Sequence, residues 1–143
     1  MTLDATYTIP APRERVWQLL MDPAAIASCV PGCQAFEPLG DDKYRVQLTA
    51  GVAAISGTFE GTVALTEQVA PESYRLVMEG SGAPGFVNGD AVMRLVDQGD
   101  STSVAVSATV DVGGTIARVG QRLLGSVSKM MLDRFFACMS AKA

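Results

Sequence analysis

The sequence predicts an α+β fold, in which a curved seven-stranded antiparallel sheet wraps around a long C-terminal helix and two short helices lie between strands 1 and 2. Short segments of alternating apolar and polar residues, separated by turn residues, predict the strands. Prolines and helical spacing interrupt this pattern in residues 10–32. After the last predicted strand, apolar residues recur at three- and four-residue steps, which predicts the terminal helix.

The N-terminal segment is predicted to be one strand followed by the two short helices. Apolar and polar residues alternate over residues 2–9, the period of a half-buried strand. Pro12 is favourable at a first helical position, and Val16, Leu19 and Leu20 give that helix one apolar side. Asp22-Pro23 ends this helix, and a second short helix is expected over Pro23 to Val30.

The middle of the chain predicts the other strands of the sheet. Turn residues such as Gly40-Asp41-Asp42 separate the segments, and the connections are short enough for antiparallel hairpins between consecutive strands. One face of each strand is apolar and the other polar, which suits a sheet with one wet face. The predicted strands are Cys33–Leu39, Lys43–Val52, Ser56–Val69, Ser73–Gly80, Val87–Val96 and Ser101–Val112.

The terminal helix is predicted over Ile116 to Met139, after Gly113-Gly114 ends the last strand. Its apolar stripe is wider than a surface helix needs, so a broad face must lie on the sheet. This packing makes either a solid core or one wall of a cavity, and the choice decides which functions are open to the protein. Gly51, Gly57, Gly61 and Gly89 are plausible sites of bends or bulges in the sheet.

Composition excludes several classes of function. The 143 residues are 48% hydrophobic and 18% charged, which is typical of one globular domain spanning residues 1–143. A net charge of -4 argues against nucleic acid as a partner and gives little attraction to anionic lipid. No segment approaches the roughly 20 apolar residues that span a bilayer, so we expect a soluble protein.

The three cysteines and the absence of histidine bear on metal binding and on the cellular compartment of the protein. With no histidine and no Cys-x-x-Cys pair, a zinc site is not expected. Cys29, Cys33 and Cys138 are expected to be reduced structural thiols, typical of the cytoplasm. Trp17 is expected to pack in the core, with a partner contact as the alternative.

The sequence offers no catalytic group. Histidine, the commonest general base, is absent, and no serine lies in a G-x-S-x-G turn. The carboxylates are scattered, and Asp90 is interpreted as a hairpin or edge residue. Gly80-Ser81-Gly82 lies between strands without the helix start that binds a phosphate. We therefore expect a protein that is not an enzyme.

Several motifs in this order resemble one protein family over nearly the whole chain. They are Val30-Pro31-Gly32-Cys33, Gly57-Thr58-Phe59-Glu60-Gly61, the glycines from Glu79 to Phe86, and Gly113 to Leu123 followed by Phe135-Phe136. Together with the predicted layout they resemble the carbon monoxide dehydrogenase G-subunit family, within the helix-grip superfamily of START lipid carriers and polyketide cyclases. The resemblance implies a helix-grip fold and an accessory protein of molybdenum carbon monoxide dehydrogenase, linked to that enzyme's association with the membrane. A cytoplasmic protein, peripheral at the inner face of the cell membrane, is the expectation that follows.

The superfamily resemblance also favours a cavity over a solid core. Methionine-rich linings adapt to long, irregular apolar guests. Since the dehydrogenase must pass electrons to a lipid-soluble acceptor, we expect the guest to be a quinone such as menaquinone, bound without a covalent link. The segment Ser81 to Gly89 is the expected mouth, although a plain exposed hairpin is equally compatible. The expected wall residues are Phe59, Val63, Met78, Phe86, Met93, Leu123, Val127 and Met131.

Two other functions stay open at this point. A filled interior would suit an adaptor that docks the dehydrogenase to the membrane or to maturation factors and has no ligand of its own. Phe86 and its glycine-rich loop, or the basic residues of the last helix, would then be the docking surface. A cyclase-like enzyme is the weakest alternative, because no acid–base pair is found.

Overall fold

The computed structural model describes residues 1–52 and 55–143. In these residues, seven antiparallel strands form one curved open sheet in the order β1-β7-β6-β5-β4-β3-β2. Consecutive strands from β2 to β7 are hairpin partners, and β7 returns beside β1, which confirms the predicted sheet. The strands are β1 (Thr2–Ile9), β2 (Cys33–Gly40), β3 (Lys43–Val52), β4 (Ile55–Val69), β5 (Ser73–Gly82), β6 (Gly85–Asp97) and β7 (Thr102–Gly113).

The predicted short helices, α1 (Arg13–Met21) and α2 (Pro23–Cys29), are confirmed between β1 and β2. The carboxylate of Asp22 accepts a 3.0 Å hydrogen bond from the N–H of Ala24, which stabilises the start of α2. Among the helices of the described residues, none combines the length and the apolar character that crossing a membrane requires.

The terminal helix is not continuous over the predicted range. A 3₁₀ helix, η1, spans Thr115–Val119, and the long helix α3 spans Gln121–Lys142. Gly120 separates them with φ 89° and ψ 154°, a conformation that favours glycine and cannot continue a helix. The prediction of one helix from Ile116 to Met139 is therefore correct only from Gln121 onward.

The segment from Ser81 to Gly89 is not the open loop predicted as a mouth. β5 continues to Gly82 and β6 begins at Gly85, so Ala83 and Pro84 alone form the turn. Gly85 has φ +134°, and a Cβ there would lie 3.1 Å from Cγ2 of Ile116 and collide with the backbone of Gly113. Glycine allows this close approach, which makes the segment a tight hairpin and not a flexible opening.

In the part of the chain that the structure describes, the buried apolar residues form two clusters between the sheet and the helices. The larger, which we call the base cluster, also includes Trp17, packed edge-on against Tyr74 with ring centroids 5.7 Å apart. The predicted core position of Trp17 is confirmed. The tip cluster consists of Phe59, Ile116 and Leu124. The base cluster is built on Ile9, Val16, Leu20, Leu65, Tyr74, Met93, Leu95, Val104, Val106, Phe136 and Met139, with smaller neighbours.

Cys29 and Cys138 form a disulfide between α2 and α3, with their Cα atoms 5.3 Å apart. The prediction that these cysteines are reduced thiols is wrong for this pair. Tertiary packing of α3 on α2 joins residues that are 109 positions apart, and no local pattern marks such a pair. Cys33 is a free thiol, and partial burial raises its pKa.

Candidate functional site

The inner face of the sheet is incompletely covered between the two clusters. Strand alternation places Val63, Met78 and Gly89 on this face, where Met78 pairs with Val63 on one side and with Gly89 on the other. Met78 is nevertheless 37% exposed. An inner side chain remains this exposed only where the helix layer does not cover it. Because α3 packs mainly against β1 and α2, the centre of β4 and β5 is left open.

Met131 lies on the helix side of this opening. Val127, one turn before it, packs against the tip cluster, and Phe135, one turn after it, packs against the base cluster. Met131 is half-buried and lies between the two. We call the partly exposed inner-face surface of Val63, Met78 and Gly80 the central groove, and we infer from its place on α3 that Met131 faces it.

Glycines on the inner face of the sheet leave space where larger residues would carry side chains. A Cβ at Gly89 would lie 2.9 Å from Cγ of Met78, so the Met78 side chain lies across this glycine. A Cβ at Gly80 would meet only the carbonyl oxygen of Glu60, at 3.7 Å. Gly61, paired with Gly80, has a different role, because a Cβ there would collide with the backbone of Glu79.

These glycines are not recognisable as parts of a site from the sequence. The sequence predicts bends or bulges at Gly61 and Gly89 and gives no sign that Gly80 lines a site. The signal that could have found them is a glycine opposite an apolar residue or another glycine on the neighbouring strand. This signal can be seen only when the strand register is known, as it is here for Gly89 with Met78 and Gly61 with Gly80.

Most of the predicted wall residues face the interior of the protein, but some belong to the two clusters and others lie between them. Phe59 is buried in the tip cluster and Met93 in the base cluster, so they belong to packed regions at opposite ends of the groove. Val63 is half-buried against the base cluster, and Val127 packs against the tip cluster. Met78 and Met131 lie in the groove itself, outside both clusters.

Phe86 is the clear error among the predicted wall residues. It is 44% exposed and lies on the outer face of the sheet, opposite Ser81 and Gly113. The absence of a side chain at Gly113 makes room for its ring. The next residue, Val87, takes the inner position and packs against the tip cluster. Strand alternation therefore excludes Phe86 from the interior.

Leu123 lies beside the face of α3 that meets the tip cluster. At 100° per residue it is about 40° around the helix from Val127, which packs against that cluster, and about 100° from the buried Leu124. It is half-buried and lies just over two turns before Met131, next to the tip cluster and outside the groove.

Two concavities on the described residues lie on the outer face of the sheet. One of about 540 Å³ is lined by Asp4, Thr6, Val92 and Arg94 among others. Another of about 340 Å³ has Glu60, Thr62, Glu79 and Asn88 in its lining. Both mix charged and polar side chains with apolar ones, among them Val92 in the first and Phe86 in the second. Neither coincides with the predicted hollow between the sheet and the terminal helix.

The carboxylates with shifted pKa values lie outside the groove. Asp90 accepts a 2.7 Å hydrogen bond from Nε of Arg75, and its pKa is lowered by the hydrogen bonds from this guanidinium. It lies in the middle of β6, facing outward, so its predicted hairpin or edge position is wrong. The pKa of Asp133 is lowered by hydrogen bonds from Tyr7 and Lys129. Within residues 1–52 and 55–143, no group of three or more acidic, cysteine or histidine side chains is arranged to hold a metal ion.

Comparison with known families and structures identifies relatives over the whole fold. The model of the family described as the carbon monoxide dehydrogenase G subunit (CoxG) matches residues 6–143. None of the curated proteins compared with the chain matches it. A conserved protein from Geobacillus kaustophilus has 34% identity and a TM-score of 0.96, with 99% of this chain and 94% of that chain covered.

More distant structures share the fold. A START superfamily protein from Mycobacterium smegmatis has 14% identity and a TM-score of 0.77, with 99% of this chain and 95% of that chain covered. The Zhui aromatase/cyclase from Streptomyces sp. R1128 has 14% identity and a TM-score of 0.74, with 99% and 92% covered. At this level of identity the likeness shows the START-like fold alone.

Proposed function

Because the chain belongs to the CoxG family, that of the carbon monoxide dehydrogenase G subunit, we propose that it is a non-catalytic accessory protein that binds an apolar, lipid-like ligand in the central groove. The observation that carries the proposal is Met78, an apolar inner-face side chain that is 37% exposed. A guest that covers such surface gains about 25 cal/mol per Å². Methionine side chains, here Met78 and Met131, adapt to an irregular apolar guest.

The proposed ligand is a quinone such as menaquinone, and the proposed partner is the molybdenum carbon monoxide dehydrogenase. Oxidation of carbon monoxide releases electrons, and a quinone can carry them into the membrane pool. The isoprenoid tail would lie over Val63, Met78 and Met131, in contact with the apolar floor. The head group would remain at the open side, where the enzyme could reduce it.

A binding role fits the ionisable groups better than a catalytic one. Asp90 is paired with Arg75 on the outer face of the sheet. Asp133 accepts hydrogen bonds from Tyr7 and Lys129 on the β1 side of α3. A general base needs a free carboxylate within reach of a bound substrate, and these carboxylates are held ionised away from the groove.

The test begins with native mass spectrometry and solvent extraction of the purified protein, followed by titration with menaquinone-4 and detection by quenching of Trp17 fluorescence. A co-purified quinone or saturable binding is expected. A protein that carries no lipid and shows no saturable binding would overturn the proposal. Adding the loaded protein to purified molybdenum carbon monoxide dehydrogenase should give carbon monoxide-dependent reduction of the quinone.

A matched pair of variants tests the position of the ligand. Gly80→Phe should fill the groove, since Cβ has room there, and should abolish quinone binding. Gly51→Phe places the same side chain on an exposed residue of β3 with open space around it, and it should bind quinone normally. Equal loss of quinone binding in both variants, or no loss in Gly80→Phe, would exclude the groove as the quinone site.

One observation favours the alternative of an adaptor without a ligand. Phe86 exposes 44% of its surface on the outer face of the sheet, as a docking residue would. The adaptor function expects binding to the dehydrogenase by protein that carries no quinone, and expects Phe86→Asp to abolish it. Quinone-dependent binding that Phe86→Asp leaves intact would reject the adaptor.

A further inference from the structure

The two edges of the open sheet differ in their protection against pairing with another strand. At one edge, the pairing of β2 with β3 shifts register twice, Pro38 has no N–H to offer, and α2 packs against β2. At the other edge, β1 pairs with β7 over eight residues without a register shift or a proline. Asp4 is its one charged residue. An edge this regular is a template for a further strand.

The free side of β1 presents a regular row of backbone groups. Met1 and Val110 exchange two hydrogen bonds, of 2.8 and 3.0 Å. Pairs of this kind recur at every second residue of an antiparallel ladder, so the odd-numbered residues of β1 bond to β7. The N–H and C=O groups of the even-numbered residues point away from β7, and within residues 1–52 and 55–143 they have no backbone partner. These residues, which are all exposed, are Thr2, Asp4, Thr6 and Thr8.

We propose that this free edge pairs with β1 of a second copy of the chain, in the antiparallel direction, so that the two sheets join into one. In the register centred on Ala5, Asp4 lies opposite Thr6 of the second copy, and Thr2 lies opposite Thr8. Each of these pairs exchanges two hydrogen bonds, so every free backbone group of the row gains a partner. The register centred on Asp4 is disfavoured, because it places two carboxylates directly opposite each other. The inference goes beyond the proposed function and does not depend on the central groove.

The inner side of β1 suits the same register. Leu3 lies opposite Tyr7 of the second copy, and the two Ala5 residues meet at the two-fold axis. The Ala5 pair is not hydrogen-bonded, and its small side chains fit the approach of the Cα atoms to about 4.5 Å in such pairs. Leu3, Ala5 and Tyr7 are half-buried in the single chain, so a second strand covers more of their apolar surface. A strand of a different protein would gain the backbone bonds alone, whereas β1 is complementary to itself in its side chains as well.

The experiment is sedimentation equilibrium from about 5 to about 500 µM, because a contact of one strand from each copy gives a weak, reversible dimer. The wild-type protein should dimerise. Thr6→Pro should weaken the dimer by at least about tenfold, since it removes an N–H of the free edge and none that bonds to β7. Thr6→Lys, opposite Asp4, should tighten the dimer by about threefold, and Thr6→Asp should weaken it by about threefold. The matched controls, Thr49→Lys and Thr49→Asp, make the same changes at an exposed residue of β3 and should dimerise as the wild type does.

Cross-linking tests the register. In a Cys33→Ser background, which removes the free thiol, Ala5→Cys should form a covalent dimer on mild oxidation, because the paired Cα atoms lie within disulfide range. Leu3→Cys in the same background should not, since Leu3 lies opposite Tyr7 and far from Leu3 of the second copy.

Several outcomes would overturn the pairing of β1 with a second copy. They are a wild-type protein that stays monomeric, including one that pairs through Thr6 with the dehydrogenase alone, Thr6 variants that behave as the Thr49 variants do, and equal cross-linking of Ala5→Cys and Leu3→Cys. Menaquinone-4 binding should be unchanged in Thr6→Pro, so failure of the edge pairing and failure of the groove are measured independently.

Discussion

The hydroxyl of Tyr7 donates a 2.7 Å hydrogen bond to Oδ1 of Asp133, which ties the first strand to the terminal helix across 126 residues of sequence. The Tyr7 ring also stacks on Phe136, with centroids 4.4 Å apart. Lys129 donates to the same carboxylate at 3.1 Å. α3 is thus fixed against β1, and the inner face of the sheet stays partly uncovered at Met78.

Tyr7→Phe should lower the free energy of unfolding by about 1 kcal/mol at neutral pH, because it removes one hydrogen bond to a charged group and keeps the stack. Burial and the bond to Asp133 raise the pKa of Tyr7 to about 12. The folded state therefore holds this proton more tightly than the unfolded state, whose tyrosine titrates near about 10. This contribution is fully present below pH 10 and is lost as the pH rises through about 12.

Urea unfolding at a series of pH values measures this effect. The stability difference between wild type and Tyr7→Phe should shrink over that alkaline window. A difference that stays constant through the window would show that the hydrogen bond does not form in solution.

Replacing both disulfide cysteines, as Cys29→Ala/Cys138→Ala, should lower the free energy of unfolding by about 2–4 kcal/mol, because the unfolded chain loses a constraint between residues 109 apart. Thermal unfolding with and without reductant measures the loss, and reductant should affect only the wild type. Thiol titration of the denatured, unreduced wild type should detect one reactive thiol, Cys33. Detecting three thiols would mean that the disulfide is absent from the purified protein.

Met78→Asp and Phe86→Asp form a matched pair on the inner and outer faces of the sheet. Both residues are exposed to a similar extent, 37% and 44%. Met78→Asp should weaken menaquinone-4 binding by at least about tenfold, because an ionised carboxylate in the groove would have to be desolvated by the guest. Phe86→Asp should leave the affinity within about twofold, since its side chain is on the other face. Isothermal titration or fluorescence quenching gives both affinities. A larger loss of affinity in Phe86→Asp than in Met78→Asp would place the ligand on the outer face of the sheet.

Gly61→Ala should destabilise the protein by about 1–3 kcal/mol, because its Cβ would collide with the backbone of Glu79 and force β4 and β5 apart. Gly80→Ala, at the paired position, should be neutral or stabilising by about 0.4–1 kcal/mol, because its Cβ has space. Denaturant unfolding of the two variants provides the comparison. An equal loss of stability in Gly61→Ala and Gly80→Ala would mean that β4 and β5 do not approach each other closely at Gly61.

The candidate site was only partly predictable. Period-two alternation predicts Val63 and Met78 as inner-face residues, because that pattern depends on local geometry alone. It could not tell that Met93 is buried in the base cluster while Met78 is exposed, since this depends on where α3 lies. The predicted interior position of Phe86 is wrong because the sequence predicts a loop around this residue, and a loop does not fix which face of the sheet a side chain takes.

The sequence by itself determined the order of strands and short helices, the hairpin connections and the presence of a long apolar C-terminal helix. Those features follow from residue periodicity and turn chemistry within about twenty neighbours. Only the tertiary structure decided the Cys29–Cys138 bond, the break at Gly120, the partial exposure of Met78 and the space for a Cβ at Gly80. Each of these depends on how α3 lies against β1 and α2, which is the outcome of contacts between residues more than a hundred positions apart.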